Sequence, residues 1–273
     1  MNETLKTSSD NFGKSKNYLA LKFAHNRLDY KSILKNLHKD IIDFQEYNRE
    51  QIRKNHNVVE KILDNVSNLV KTFFVEIDLL VFGSYSTNLC LAWSDIDLVL
   101  VNKSGVNDPN ILRKVWSLIQ IQPWKESCML VENTTIPVLK IVAAESLLNY
   151  HIDISVQDNK HFGLKCVELV KMYLREYEAL EPMIISLKNI LKCAGLNDPY
   201  KGGLSSYGLI LLVVSYLQNQ LETEKPITKE KYNLGRLFIE FLYYYGVVFD
   251  PSKYIIMTYL PNQKHKEAPQ VSY

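Results

Sequence analysis

Residues 79–101 read LLVFGSYSTNLCLAWSDIDLVLV. The apolar run 79–82 predicts a strand, Gly83-Ser84 a turn, and Ser94-Asp95-Ile96-Asp97 the entry into a second apolar strand. Residues two apart on a strand share a face, so Asp95 and Asp97 are expected to project together. Two carboxylates so placed repel each other unless a positive charge lies between them. A hard divalent cation with oxygen ligands meets that need, and Mg²⁺ is the usual one where phosphates complete the shell.

Working outward, HIDISV (151–156) is a third apolar strand in which Ile152, Ile154 and Val156 take one face and Asp153 the other. If it lies beside the Asp95–Asp97 strand, three carboxylates converge. Such a set suits two Mg²⁺ ions about 3.5–4 Å apart, one for an attacking hydroxyl and one for a leaving pyrophosphate. Mn²⁺ is the natural substitute, and Asp153 is the candidate general base. Gly83, with no Cβ, lets the backbone approach a triphosphate, and Ser84 can open a helical turn whose N–H groups face the anion. A lone D-x-D or Gly-Ser is common on surfaces; the ordered combination carries the argument.

On either side the periodicity changes. Leu34, Leu37, Ile41 and Phe44, then Val59, Ile62, Leu63, Val66, Leu69, Val70 and Phe73, recur at helical spacing and predict two amphipathic helices within 28–74, packed on the later helical part. Residues 1–27, polar and without period, are expected to be a loosely ordered leader. Residues 75–160 alternate as strands around one helix near 111–121, with Trp93 expected under the D-x-D strand and His151 structural. From 161 to 273 the pattern is helical, over 164–177, 183–193, 205–220 and 234–245. The expected fold is therefore α+β: a small mixed sheet with flanking helices, followed by a mostly α-helical domain.

Composition narrows the class. With 273 residues, 47% hydrophobic and 23% charged, the chain can bury one large or two intimate cores. A net charge of +2 supplies no general attraction for nucleic acid, so any grip on RNA must be local or come from a partner. Cys90, Cys128, Cys166 and Cys193 form no C-x-x-C pair, which argues against a zinc module or disulfide framework and for a reducing compartment. No apolar stretch reaches the length of a membrane span, so no membrane association is expected.

The sequence resembles the DNA polymerase β-like nucleotidyltransferases, and within them the non-canonical poly(A) polymerases and terminal uridylyltransferases, most strongly the TRAMP-type branch. The likeness covers roughly 28–260 and rests on LHKDIIDFQEY (37–47), FGSYSTNLCLAWSDIDLVL (82–100), HIDISV (151–156), PMIISLKNILK (182–192), GGLSSYGLILLVVSYLQ (202–218) and YNLGRLFIEFLYYYG (232–246). The resemblance implies a nucleotidyltransferase palm and a helical central domain around a nucleoside triphosphate. It makes Gly83, Ser84, Asp95, Asp97 and Asp153 the catalytic motif, Lys188 a ligand of the β- and γ-phosphates, Ser206 a phosphate contact, and Tyr207 the platform for the incoming base. Residues 233–246 would be the nucleotide-recognition region. Lys192, one helical turn from Lys188, can share its face, though two lysines at that spacing also make an ordinary solvated surface. Tyr207, in an apolar helix, could equally belong to the core.

Three positions depart from the family pattern. Asn88 stands where Gly is common in the turn that contacts ribose, Lys201 where Thr precedes the Gly-Gly, and Lys192 where Arg is frequent, which keeps the charge but loses the planar fork. The residue that separates ATP from UTP is implied to lie after the recognition region, where MTYLPNQKHKEAPQVSY (257–273) offers His265 without an assigned role. The resemblance thus implies AMP transfer to an RNA 3′ end. Uridylyl transfer is the alternative within the class, and a catalytically silent scaffold the alternative outside it. No RNA-recognition module is evident, so an RNA-binding or helicase partner is expected, and a nuclear location follows from the resemblance, with the cytoplasm as the alternative.

Overall fold

The computed structural model describes residues 29–105, 108–223 and 233–260. The expected leader at 1–27 and His265 fall outside them. The chain divides into two compact units, one of residues Tyr47–Lys171 and one formed by Met1–Glu46 with Met172–Tyr273.

Helix α1 (Tyr30–Phe73) begins in one unit and ends in the other. Two helices were expected here and one is found. The interruption in apolar spacing, QEYNREQIRKNHN (45–57), contains neither Gly nor Pro, so nothing breaks the backbone ladder. Pairs one turn apart even support it, as in Lys54–Glu50 at 3.0 Å.

In the Tyr47–Lys171 unit, five strands form a mixed sheet of order β1-β2-β5-β4-β3: β1 (Ile77–Val81), β2 (Ile96–Asn102), β3 (Lys125–Val131), β4 (Val138–Ala143) and β5 (His151–Val156). Only β2 and β5 run parallel. A single turn, α2 (Gly83–Ser86), follows β1, and α3 (Ile111–Gln120) lies between β2 and β3. Alternation was expected throughout 75–160, but β3 is a sheet edge with a register shift between Lys125 and Ser127, and its burial does not alternate.

Alternation builds the core. Ile96, Leu98 and Leu100 of β2, Ile152 and Ile154 of β5, and Leu139 and Ile141 of β4 pack with Ile111, Val115 and Ile119 of α3 and with Ile62, Val66 and Val70 of α1. The C-terminal part of α1 is thus a layer of the sheet's own core. Residues between these on β2 and β5, Asp97 and Asp153 among them, are turned to the other face.

The second unit is helical. Its elements are the start of α1, the end of α4 (Gly163–Glu176), α5 (Leu180–Cys193), α6 (Ser206–Thr223) and α7 (Leu234–Tyr243), the last ending in a π turn at Tyr244–Val248. Pro182 lies in the first turn of α5, where no intrahelical donor is required. Met183, Ile184 and Leu187 of α5, Val213, Val214 and Tyr216 of α6, and Leu237, Phe238 and Phe241 of α7 are buried. None of the described helices is long and apolar enough to cross a membrane.

Candidate active site

The acidic residues are placed by register. In the parallel β2–β5 pair, Asp97 lies opposite Asp153, and in the antiparallel β4–β5 pair Asp153 lies opposite Lys140. The row Asp97, Asp153, Lys140 therefore runs across three adjacent strands on one face. The Lys140 Nζ donates to Asp153 Oδ2 at 2.7 Å. Burial alone would push the Lys140 ammonium down, but its hydrogen bond to Asp153 and the charges of Asp153, Asp95 and Asp97 hold it above the usual lysine value. Asp95 lies just ahead of β2 and is exposed.

The Gly-Ser turn abuts this row. Phe82 N–H donates to the Asp97 carbonyl at 3.0 Å, which continues the β1–β2 ladder into the turn. Gly83 has φ +64, and a Cβ there would overlap the Asp97 carboxylate. Only glycine meets both demands. The α2 turn is closed by Ser86 Oγ and Thr87 Oγ1, each donating to the Gly83 carbonyl at 3.2 Å. Asn88 follows with φ +59, a left-handed conformation that Gly adopts freely and that Asn tolerates best of the other residues. Its departure from the family's Gly is thus compatible with the backbone.

Residues 89–94 lead from the turn to Asp95 without a ladder, and side chains hold them. Asn48, on α1 and almost fully buried, donates to the Cys90 carbonyl and accepts from Ala92 N–H, each at 3.0 Å. Tyr150 donates to the Ala92 carbonyl at 2.8 Å while its oxygen accepts from Asn55 at 3.1 Å. Ser94 Oγ accepts from Leu91 N–H at 2.9 Å. Burial first, and then a hydrogen bond with Tyr150, push the Tyr85 hydroxyl up, so it stays protonated. On the face of β5 that carries Asp153, the buried His161 ring meets Ser155 Oγ at 2.9 Å and packs edge-on against Phe82, with burial driving its pKa down.

Sequence reasoning missed Lys140, Asn48, Asn55, Tyr150 and His161. Lys140 alone left a signal, a cation inside the apolar strand VLKIVA. Trp93 was expected beneath the D-x-D strand; it is instead 41% exposed, because the buried positions of this loop go to Leu89, Cys90, Leu91 and Ala92. His151 is exposed at the start of β5.

The remaining candidates lie in the helical unit. Lys188 and Lys192 are on α5, the first half-buried and the second exposed. Ser205 caps α6, its Oγ accepting from Gly208 N–H at 3.0 Å, which leaves Ser206 and Tyr207 in the exposed first turn. Tyr207 is 36% exposed, unlike a core tyrosine such as Tyr216.

Among the described residues, no three acidic, His or Cys side chains stand as a ready metal-binding group. The donor set nevertheless suits Mg²⁺: carboxylate oxygens only, on adjacent strands, beside a turn with no side chain in the way.

A sheet that sets a Gly-Ser turn against an Asp-x-Asp strand, with a third aspartate on the neighbouring parallel strand, is the framework of a nucleotidyltransferase polymerase core. The chain belongs to the non-canonical poly(A) polymerase family: residues 37–175 match the central palm domain of the mitochondrial-like poly(A) RNA polymerases, and residues 233–270 match the Cid1 family poly A polymerases. It is 31% identical over 217 residues to the poly(A) RNA polymerase cid14 of Schizosaccharomyces pombe, covering 78% of this chain and 31% of that protein. It is 30% identical over 224 residues to the inactive non-canonical poly(A) RNA polymerase protein Trf4-2 of Drosophila melanogaster, covering 80% and 53%. The solved polymerase core of TRAMP, an RNA surveillance complex, superposes with a TM-score of 0.66 at 30% identity, covering 80% of this chain and 66% of that one. The chain spans about a third of the length of the first curated relatives it matches.

Proposed function

We propose that this chain carries out template-independent transfer of nucleoside monophosphate, preferentially AMP from ATP, to an RNA 3′-hydroxyl. The observation that carries the reading is the pairing of Asp97 with Asp153 across β2 and β5, with Gly83 closed against Asp97. A silent scaffold has no physical reason to keep that row of acids; the inactive relative makes activity the first thing to test.

In this reading the 3′-oxygen attacks the α-phosphorus, its proton passes to the Asp153 carboxylate, and the α–β bridging bond breaks to release pyrophosphate. Asp95, Asp97 and Asp153 would hold two Mg²⁺ ions, which when bound supply Lewis-acid activation of the hydroxyl and neutralise the leaving group. Gly83 and Ser84 offer backbone N–H donors to phosphate, and the turn at Asn88 approaches the ribose. Lys188, Lys192 and Ser206 are assigned to the triphosphate, and Tyr207 to the base, where stacking contributes about 1–3 kcal/mol. The exposure of Tyr207 supports that assignment over a core role. The modest net charge favours weak, distributive RNA binding. The likeness to the polymerase core of TRAMP supports an RNA-binding or helicase partner that delivers substrate, and a nuclear site of action, with the cytoplasm as the alternative, is proposed on that likeness alone.

The test is extension of a labelled oligoribonucleotide by purified protein with each NTP separately in Mg²⁺ and in Mn²⁺. Extension with ATP is expected. Extension with UTP alone would reassign the base, and none with any NTP would sink the reading and leave the scaffold.

A further inference from the structure

The acidic row ends in a cation of the protein's own. Leu139, Ile141 and Ala143 of β4 are buried, so Lys140 projects with Asp153 and Asp97 on the face that carries the site. Its ammonium stands 2.7 Å from Asp153 Oδ2, with Asp153 three-quarters covered. Asp97, opposite Asp153 across β2 and β5, extends the same row. A carboxylate oxygen engaged by an ammonium is a weaker ligand for a divalent ion, because the two cations compete for the same lone pairs.

We propose that Lys140 is the internal counter-ion of the acidic site: without divalent cation its ammonium neutralises Asp153, and the cation enters by displacing it. The proposal rests on the polymerase reading above, since it takes the three aspartates as the cation ligands. Physically it resolves a conflict. Carboxylates close enough to share metal ions repel when the ions leave, and a flexible lysine supplies a positive charge that can swing away at little cost. The consequence is a trade: Lys140 lowers metal affinity and raises the stability of the metal-free protein. It is a positioning residue acting through Asp153, so the decisive readout is metal binding rather than turnover.

The experiment titrates the full chain with Mn²⁺ at fixed ionic strength, following the loss of the free-ion electron paramagnetic resonance signal, for the wild type, Lys140→Met, Lys140→Gln and Lys140→Arg. Each is also made in an Asp97→Asn background. Both neutral variants should bind Mn²⁺ about tenfold more tightly, the loss of one competing charge, while Lys140→Arg stays near the wild type. The neutral variants should also melt lower in EDTA and recover on adding Mn²⁺. Circular dichroism at saturating Mn²⁺ checks that each is folded, and the glutamine variant keeps a polar chain at this half-exposed position. Binding that Asp97→Asn abolishes but the neutral variants leave unchanged or weaken would overturn the counter-ion and spare the polymerase reading. Binding insensitive to Asp97→Asn would remove both.

Discussion

Two stretches meet at Asp97 and are built by different means. Strands β2 and β5 deliver Asp97 and Asp153 through ladder register, so each acid is located by its neighbours' hydrogen bonds and by the burial of the residues between them. Residues 83–94 have no ladder and are held by a left-handed glycine and by Asn48, Tyr150 and Ser94, two of them distant in sequence. The ladder places charges; the clamps aim the turn at them. A change in the first should therefore damage chemistry without damaging the fold, and a change in the second should damage both.

Asp97→Asn breaks that comparison most directly. Removing one ligand charge at constant shape should lower nucleotide transfer about 10³-fold, equivalent to about 4 kcal/mol of barrier. Because it also relieves repulsion with Asp153, folding stability in EDTA should hold or rise. Single-turnover extension beside a urea melt tests both; a large loss of stability would mean that Asp97 belongs to the fold rather than to the chemistry.

Gly83→Ala comes next and should hit both. An L-residue at φ +64 costs about 1–2 kcal/mol, and the new methyl must push the Asp97 carboxylate aside. A displacement of about 1 Å at a reacting centre is worth about 10²-fold in rate, so extension should fall by that order while the melting temperature also drops. Loss of rate with unchanged stability would show that the turn relaxes freely and that Gly83 serves ligand approach alone.

Asn48→Ala probes the clamps. It leaves the Cys90 carbonyl and the Ala92 N–H without their partner in a buried loop, each at about 1–3 kcal/mol, against about 0.6 kcal/mol regained in helix propensity. A net loss of about 1.5–5 kcal/mol in urea unfolding is expected, with transfer reduced about tenfold as the approach to Asp95 loosens. Asn55→Ala, one partner removed from the loop, should cost about 1 kcal/mol.

The same comparison explains what the amino-acid sequence made legible. Alternation in 96–101 and 151–156 was sufficient to read which side Asp97 and Asp153 take, because a strand sorts its faces with period two. The α+β class and the position of α5 to α7 followed from the change of period. The clamps were not legible: Asn48 and Asn55 interrupt the apolar spacing of α1, and that interruption read as a break between two helices. Polar side chains buried to hold a distant loop look, in one dimension, like a solvent-exposed gap. Lys140 hid for the related reason that its partner lies one strand away and 13 residues later.

Asn88 carries the smallest expected effect and sharpens the comparison furthest, since it tests whether a turn residue acts through its backbone. At φ +59, glycine would relieve the left-handed strain of an L-residue but add unfolded-state freedom, terms of about 1 kcal/mol each with opposite sign. Asn88→Gly should therefore change stability by no more than about 0.5 kcal/mol, whereas Asn88→Val, β-branched and intolerant of this region, should lose about 2 kcal/mol. If the turn meets the ribose through its main chain, the preference for ATP over dATP in Asn88→Gly stays within about twofold of the wild type, a difference of about 0.4 kcal/mol. A tenfold change in that ratio at unchanged stability would give the Asn88 amide a direct hold on the sugar, and would make this position a side-chain determinant grafted onto a turn that the family builds with glycine.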